Sequence, residues 1–104
     1  MPVIVEYSQA GITPADYEEL KRTVGWAESN PPGALFHVVA FDGGQIKVID
    51  LWERQSDYEA YVRDRLNPAC EAIGLQPEPP RIIPAYAVSA YRPLQKYALG
   101  SGAT

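Results

Sequence analysis

Two side chains on either side of a tight turn could move a proton. His37, the single histidine of the chain, lies in the apolar run A-L-F-H-V-V-A-F, residues 34–41, and Asp50 lies in Q-I-K-V-I-D-L-W, residues 45–52. Asp42-Gly43-Gly44 between the runs is a strong hairpin signal. If Phe41 pairs with Ile46, the register sets Val39 against Val48, His37 against Asp50 and Leu35 against Trp52. That register matches apolar with apolar, whereas a one-residue slip opposes Lys47 to Val39. A carboxylate beside an imidazole fixes its tautomer and raises its basicity, which makes His37 a candidate general base or acid and Asp50 its orienting partner. The same pair also suits a structural role in which each group satisfies the other's hydrogen bonds.

Aromatic residues could complete a pocket for an apolar ligand. Tyr7, Trp52, Tyr61 and Tyr86 are the candidate substrate-binding side chains. Tyr58 and Tyr61 fall on a helical stripe, a position that equally suits core packing. Glu6 reads either as a second carboxylate or as an exposed strand position, and Cys70 reads as a small buried hydrophobe. One histidine, one cysteine and no clustered carboxylates do not make a zinc shell, so no metal is expected. Phosphate-binding glycine motifs and a nucleophile elbow are missing too, and no organic cofactor is expected.

These residues need a scaffold, and the chain spells out six elements. Val3 to Ser8 alternates as a strand with apolar residues on both faces, which suits a central position. Thr13-Pro14 opens a helix as N-cap and first residue, Tyr17, Leu20 and Val24 form its buried stripe, and Gly25 ends it. Ala34 to Phe41 and Ile46 to Glu53 are the hairpin strands. Ser56, with Glu59 three residues on, predicts a capping box at the start of a second helix, which Pro68 kinks or splits and Gly74 closes. Arg81 to Tyr91 reads as a last strand, at an edge because Pro84 cannot donate to a ladder. Residues 1–93 thus form one domain, and residues 94–104 a mobile C-terminal tail ending in G-S-G-A-T.

Two β-α-β units with right-handed crossovers predict an α+β fold, a ferredoxin-like βαββαβ antiparallel sheet of order 4-1-3-2 with both helices on one face. The other face, with Ile49 and Leu51, is left uncovered, and a second copy of the chain is the expected cover.

The chain has 104 residues, 46% apolar and 21% charged, and a net charge of −4. That is an ordinary globular balance for a single domain. The negative charge argues against a nucleic-acid partner. No apolar stretch is long enough to span a bilayer, and M-P-V-I-V-E-Y reads as a strand rather than a signal peptide. One cysteine permits no internal disulfide and fits a reducing compartment. A soluble, cytoplasmic homodimer that takes a hydrophobic small molecule is the expectation.

The segment G-G-Q-I-K-V-I-D-L-W-E-R-Q-S-D-Y-E-A-Y-V, residues 43–62, followed by R-L-N-P-A, residues 65–69, resembles the dimeric α+β barrel superfamily, in particular its antibiotic-biosynthesis-monooxygenase-like branch. The resemblance spans residues 2–92 and rests on structural more than catalytic motifs. It implies a ferredoxin-like dimer with a small-molecule pocket between sheet and helices. It also implies an activity among cofactor-independent oxygenation of aromatic polyketides, isomerisation and cyclisation. Haem-degrading members carry a histidine on the second helix, and residues 57–73 here contain none. Two functions follow as expectations. One is a cofactor-independent enzyme of specialised metabolism acting on an aromatic or polyketide-like molecule. The other is a non-catalytic dimeric binding or accessory protein whose interior is filled by side chains.

Overall fold

A computed structural model describes residues 1–99. Its elements run β1 (Val3–Ala10), α1 (Pro14–Val24), β2 (Ala34–Asp42), β3 (Gln45–Trp52), α2 (Gln55–Tyr61), α3 (Asn67–Ala72) and β4 (Arg81–Pro84). The sheet is antiparallel in the order β2-β3-β1-β4, the 4-1-3-2 arrangement expected from the crossovers. Both helical segments lie over one face, and Val3, Val5 and Trp52 form the core there, flanked by Tyr58, Tyr61 and Ile82.

Local chemistry sets α1. The Thr13 hydroxyl accepts from the Asp16 amide at 3.1 Å and the Asp16 carboxylate accepts from the Thr13 amide at 3.0 Å, so two otherwise orphaned donors are satisfied together. At the other end Gly25 takes the left-handed conformation, with φ 75°, and its amide donates to the Lys21 carbonyl. In the β2–β3 turn Gly43 and Gly44 both have positive φ, which a two-residue hairpin of native twist demands.

The ladder keeps Phe41 opposite Ile46, Val39 opposite Val48 and His37 opposite Asp50. The expected Leu35–Trp52 pair does not form. A bulge at Leu35 places Ala34 opposite Trp52 instead. The cause lies just upstream: the Glu53 amide donates to the Gly33 carbonyl at 2.8 Å and the Ala34 amide to the Pro31 carbonyl at 3.1 Å, which holds the strand entrance one residue out of step.

Two other expectations about element ends are corrected, and one about the second helix is borne out. Ser56 is not the N-cap of α2; the extended Arg54 is, and Glu59 accepts from the Gln55 side chain at 3.1 Å rather than closing a capping box. Gly33 explains the early start: at φ 86° it sits directly under the Asp57 side chain, where any Cβ would collide. Pro68 does split the second helix, through a π-helical turn at Val62–Leu66 in which the Asn67 amide reaches back to the Val62 carbonyl. The proline ring crowds the carbonyl four residues earlier and brings no N–H, and a wider turn absorbs the mismatch. Finally, the last strand stops at Pro84 rather than Tyr91, because Pro84 already pairs with Val3 and the Ala85 amide with the Pro2 carbonyl. There the first strand runs out. The chain continues to a short 3₁₀ helix at Arg92–Tyr97, so the start of the expected tail is ordered; its G-S-G-A-T end lies outside the described residues.

The far side of the sheet carries an exposed apolar patch, with Glu6, Lys47 and Arg81 beside it. Phe36, Val38 and Ile49 are 36%, 45% and 46% exposed, with Ile4, Leu51 and Ile83 half-buried among them. Among the described residues no helix is long and apolar enough to cross a membrane.

Candidate active site

The register that opposes β2 to β3 delivers the pair anticipated from the sequence. His37 Nδ1 lies 2.6 Å from Asp50 Oδ1. A carboxylate only accepts, so the shared proton belongs to Nδ1 and the free lone pair of the neutral ring is at Nε2. The second carboxylate oxygen, Asp50 Oδ2, accepts from the Trp52 indole N–H at 3.3 Å, which fixes the carboxylate from the side away from the imidazole. Trp52 itself is held by Tyr58 and Tyr61, with ring centroids 5.5 and 5.1 Å away. Such aromatic pairs each contribute about 0.5–1.5 kcal/mol beyond simple burial. The carboxylate is therefore positioned by the core, not by a loop.

The pair opens onto a cavity of about 750 Å³ between sheet and helices. Val5, Tyr7, Val48 and Trp52 form its floor, Tyr17 and Leu20 of α1 one wall, and Tyr58, Tyr61 and Cys70 of the second helical segment the other. The segment from Tyr91 to Leu99 lies along the mouth. Most of the lining is apolar, with a few polar groups converging, as small-molecule sites are built. Of the candidate binding residues, Tyr7, Trp52 and Tyr61 line this cavity; Tyr86 does not, and is fully exposed beyond the end of β4. Glu6 is exposed on the opposite face of β1. Among the described residues no group of three or more His, Cys, Asp or Glu side chains could hold a metal.

No protein-family profile matches the chain, and no curated protein does. Solved structures do. SnoaB, a cofactor-independent oxygenase from Streptomyces nogalater, superposes with a TM-score of 0.61 at 14% identity, over 84% of this chain and 94% of its own. Proteins assigned as antibiotic biosynthesis monooxygenases from Caulobacter crescentus CB15 and Chloroflexus aurantiacus J-10-fl superpose at 0.56 and 0.52, with 21% and 19% identity. They cover 85% of this chain in each case, and 91% and 95% of their own. The fold is that of the antibiotic-biosynthesis-monooxygenase-like proteins. That is the fold expected from the resemblance in residues 43–62.

Within this monooxygenase-like fold, the structure brings two residues to the site that the sequence reading left in the core or passed over. Tyr17, assigned to the buried stripe of α1, places its hydroxyl 2.8 Å from His37 Nε2. Trp26, just past Gly25, sets its indole against the imidazole with centroids 5.5 Å apart and against the Tyr17 ring at 5.6 Å. The helical period did place Tyr17 toward the sheet; what period alone omits is which strand residue it meets. Arg65, in the π turn, donates to the Val24 carbonyl at 3.0 Å and the Ser29 carbonyl at 2.8 Å, tying the end of α1 to the second helical segment.

The cavity's phenols are held neutral. Burial, then the charges of Glu18 and Asp50, push Tyr17 up to about 12. Burial, then Asp50, pushes Tyr58 up to about 12 as well, and burial raises Tyr61 further. Tyr7 is raised by burial and hydrogen-bonds to Gln9. Burial also raises the Cys70 thiol, which keeps it inert as a nucleophile. An unfolded chain releases its tyrosine protons near 10.0, before the folded one does. The stabilisation from these neutral phenols is therefore complete below pH 10 and is lost as pH climbs toward 12. Thermal melts should fall steeply over that window, and Tyr58→Phe should flatten the fall. An alkaline limb identical in Tyr58→Phe and the parent would refute this assignment.

Proposed function

We propose that this protein is a cofactor-independent enzyme that moves a proton on a hydrophobic, aromatic or polyketide-like molecule, with His37 as general base and acid and Asp50 as its orienting partner. The observation that carries the reading is the 2.6 Å contact between His37 Nδ1 and Asp50 Oδ1 at the wall of a cavity large enough for a fused-ring compound. Tyr7, Trp52 and Tyr61 supply flat apolar surface beside it. Proton abstraction beside a carbonyl gives an enolate, from which isomerisation, cyclisation or reaction with dioxygen can proceed. The non-catalytic alternative called for an interior filled by side chains; a cavity reached by His37 favours the enzyme.

The working unit in this proposal is a homodimer in the cytoplasm. The exposed apolar patch supports the first part, and one buried, unpaired cysteine is consistent with the second. The direct test is incubation with a panel of hydroxylated fused-ring ketones in the presence of chelator, with and without oxygen, followed by mass spectrometry of the products. Turnover that survives the chelator is expected. Turnover that appears only after a metal or flavin is added would overturn the cofactor-independent reading.

A further inference from the structure

We infer that Tyr17 is the residue that exchanges a proton with the substrate, and that His37 and Asp50 stand behind it to take that proton up. The inference deepens the proposed function and rests on the reading of the cavity as a proton-transfer site. Its basis is that the imidazole has no nitrogen left for a ligand. Nδ1 is engaged by Asp50 at 2.6 Å and Nε2 by the Tyr17 hydroxyl at 2.8 Å. The ring also has two aromatic neighbours: Trp26 meets it edge-on at 61°, and the Tyr17 ring lies nearly parallel to it, at 8° and 6.1 Å. With Nδ1 carrying its proton toward Asp50, the Tyr17 O–H donates to Nε2, and the phenolic oxygen retains acceptor capacity at the cavity wall.

The step balances without an added reagent. An O–H of the substrate, or a C–H beside its carbonyl, breaks and its proton bonds to Tyr17 Oη. The phenolic proton passes along the existing hydrogen bond to His37 Nε2. The electron pair stays on the substrate as a phenolate or enolate, and the imidazolium is balanced by Asp50. Tyr17 ends as it began, a neutral phenol, in keeping with surroundings that disfavour its anion. The reverse movement returns the proton to another atom of the substrate. Tyr17 is held for this role at both ends of its helix, by the Thr13–Asp16 capping box and by the Arg65 tie to Val24.

The probe is 3-nitrophenol, coloured when ionised, in buffer about one pH unit below its own pKa and above the ordinary imidazole range, where roughly a tenth of the free compound is anionic. Wild type should bind it as the anion, and long-range ¹H–¹⁵N spectra of His37, the single histidine, should show Nε2 becoming protonated as it binds. Tyr17→Phe keeps the ring packing and should lose about tenfold or more of the bound anion. His37→Ala should lose it too. If Tyr17→Phe ionises the probe as wild type does while His37→Ala does not, the proton goes straight to the imidazole; the Tyr17 assignment then fails and the proposed function stands. If His37→Ala also ionises the probe, or if wild type leaves it protonated or does not bind it, the proton-transfer reading of the cavity falls and Tyr17's role falls with it.

Discussion

Replacing His37 by alanine is expected to cut turnover by ~10²- to 10⁴-fold, the usual cost of a lost general base, while leaving a cooperative melt. The fold should survive because the imidazole is 36% exposed toward the cavity and is not core. Asp50→Asn should slow the reaction too, by on the order of 10²-fold or more, since the new amide can donate to Nδ1 and impose the tautomer whose proton sits on Nε2. Asp50→Ala separates catalysis from structure. If the pair were only structural, that change would mainly destabilise, by roughly 1–3 kcal/mol, since it strands the His37 and Trp52 donors. A folded His37→Ala protein with full activity on a substrate turned over by the parent would eliminate the dyad and leave binding by the aromatic residues.

Light scattering of the wild-type protein at micromolar concentration is expected to give twice the chain mass, and Ile49→Lys to give the chain mass alone. Ile49 lies at the centre of the bare face, opposite Val38 on one side and Glu6 on the other. In a monomer the new ammonium reaches water and has Glu6 across the ladder, so folding is spared. Against a second apolar sheet the same charge would lose its hydration, a cost of several kcal/mol. Each 1.4 kcal/mol is about tenfold in the dissociation constant, so the dimer should weaken by ~10²-fold or more. A wild-type monomer of ordinary stability would contradict the packing reasoning, because Phe36, Val38 and Ile49 would then be left in water without purpose.

What was legible in the sequence is what alternation and punctuation encode. The His37–Asp50 pair followed from matching apolar residues across Gly43-Gly44, and the sheet order from two right-handed crossovers. Legibility failed where a contact distant in sequence outweighed a local signal. Ser56 and Glu59 form a valid capping pattern, but Asp57 packs on Gly33, far away in the chain, and moves the helix start. Leu35 bulges because Gly33 and Pro31 fix the strand entrance. Tyr86 is a candidate pocket aromatic only if the last strand runs on to Tyr91; strand length is set by the partner, and β1 ends first. Tyr17 was seen on the correct face of α1, but its hydroxyl meets His37 only through the way helix and sheet pack.

The chain contains two tryptophans, and both touch the His37–Asp50 pair: Trp26 lies against His37, and Trp52 is hydrogen-bonded to Asp50. The protein's intrinsic fluorescence is consequently a local instrument, with no third indole elsewhere to dilute it. Emission from Trp26 should be quenched as the neighbouring imidazole gains its proton, so a fluorescence titration reads the charge state of His37 without labels. A fused-ring ligand entering the cavity would alter the surroundings of both indoles together, which allows compound libraries to be screened on the unmodified protein before any reaction is known.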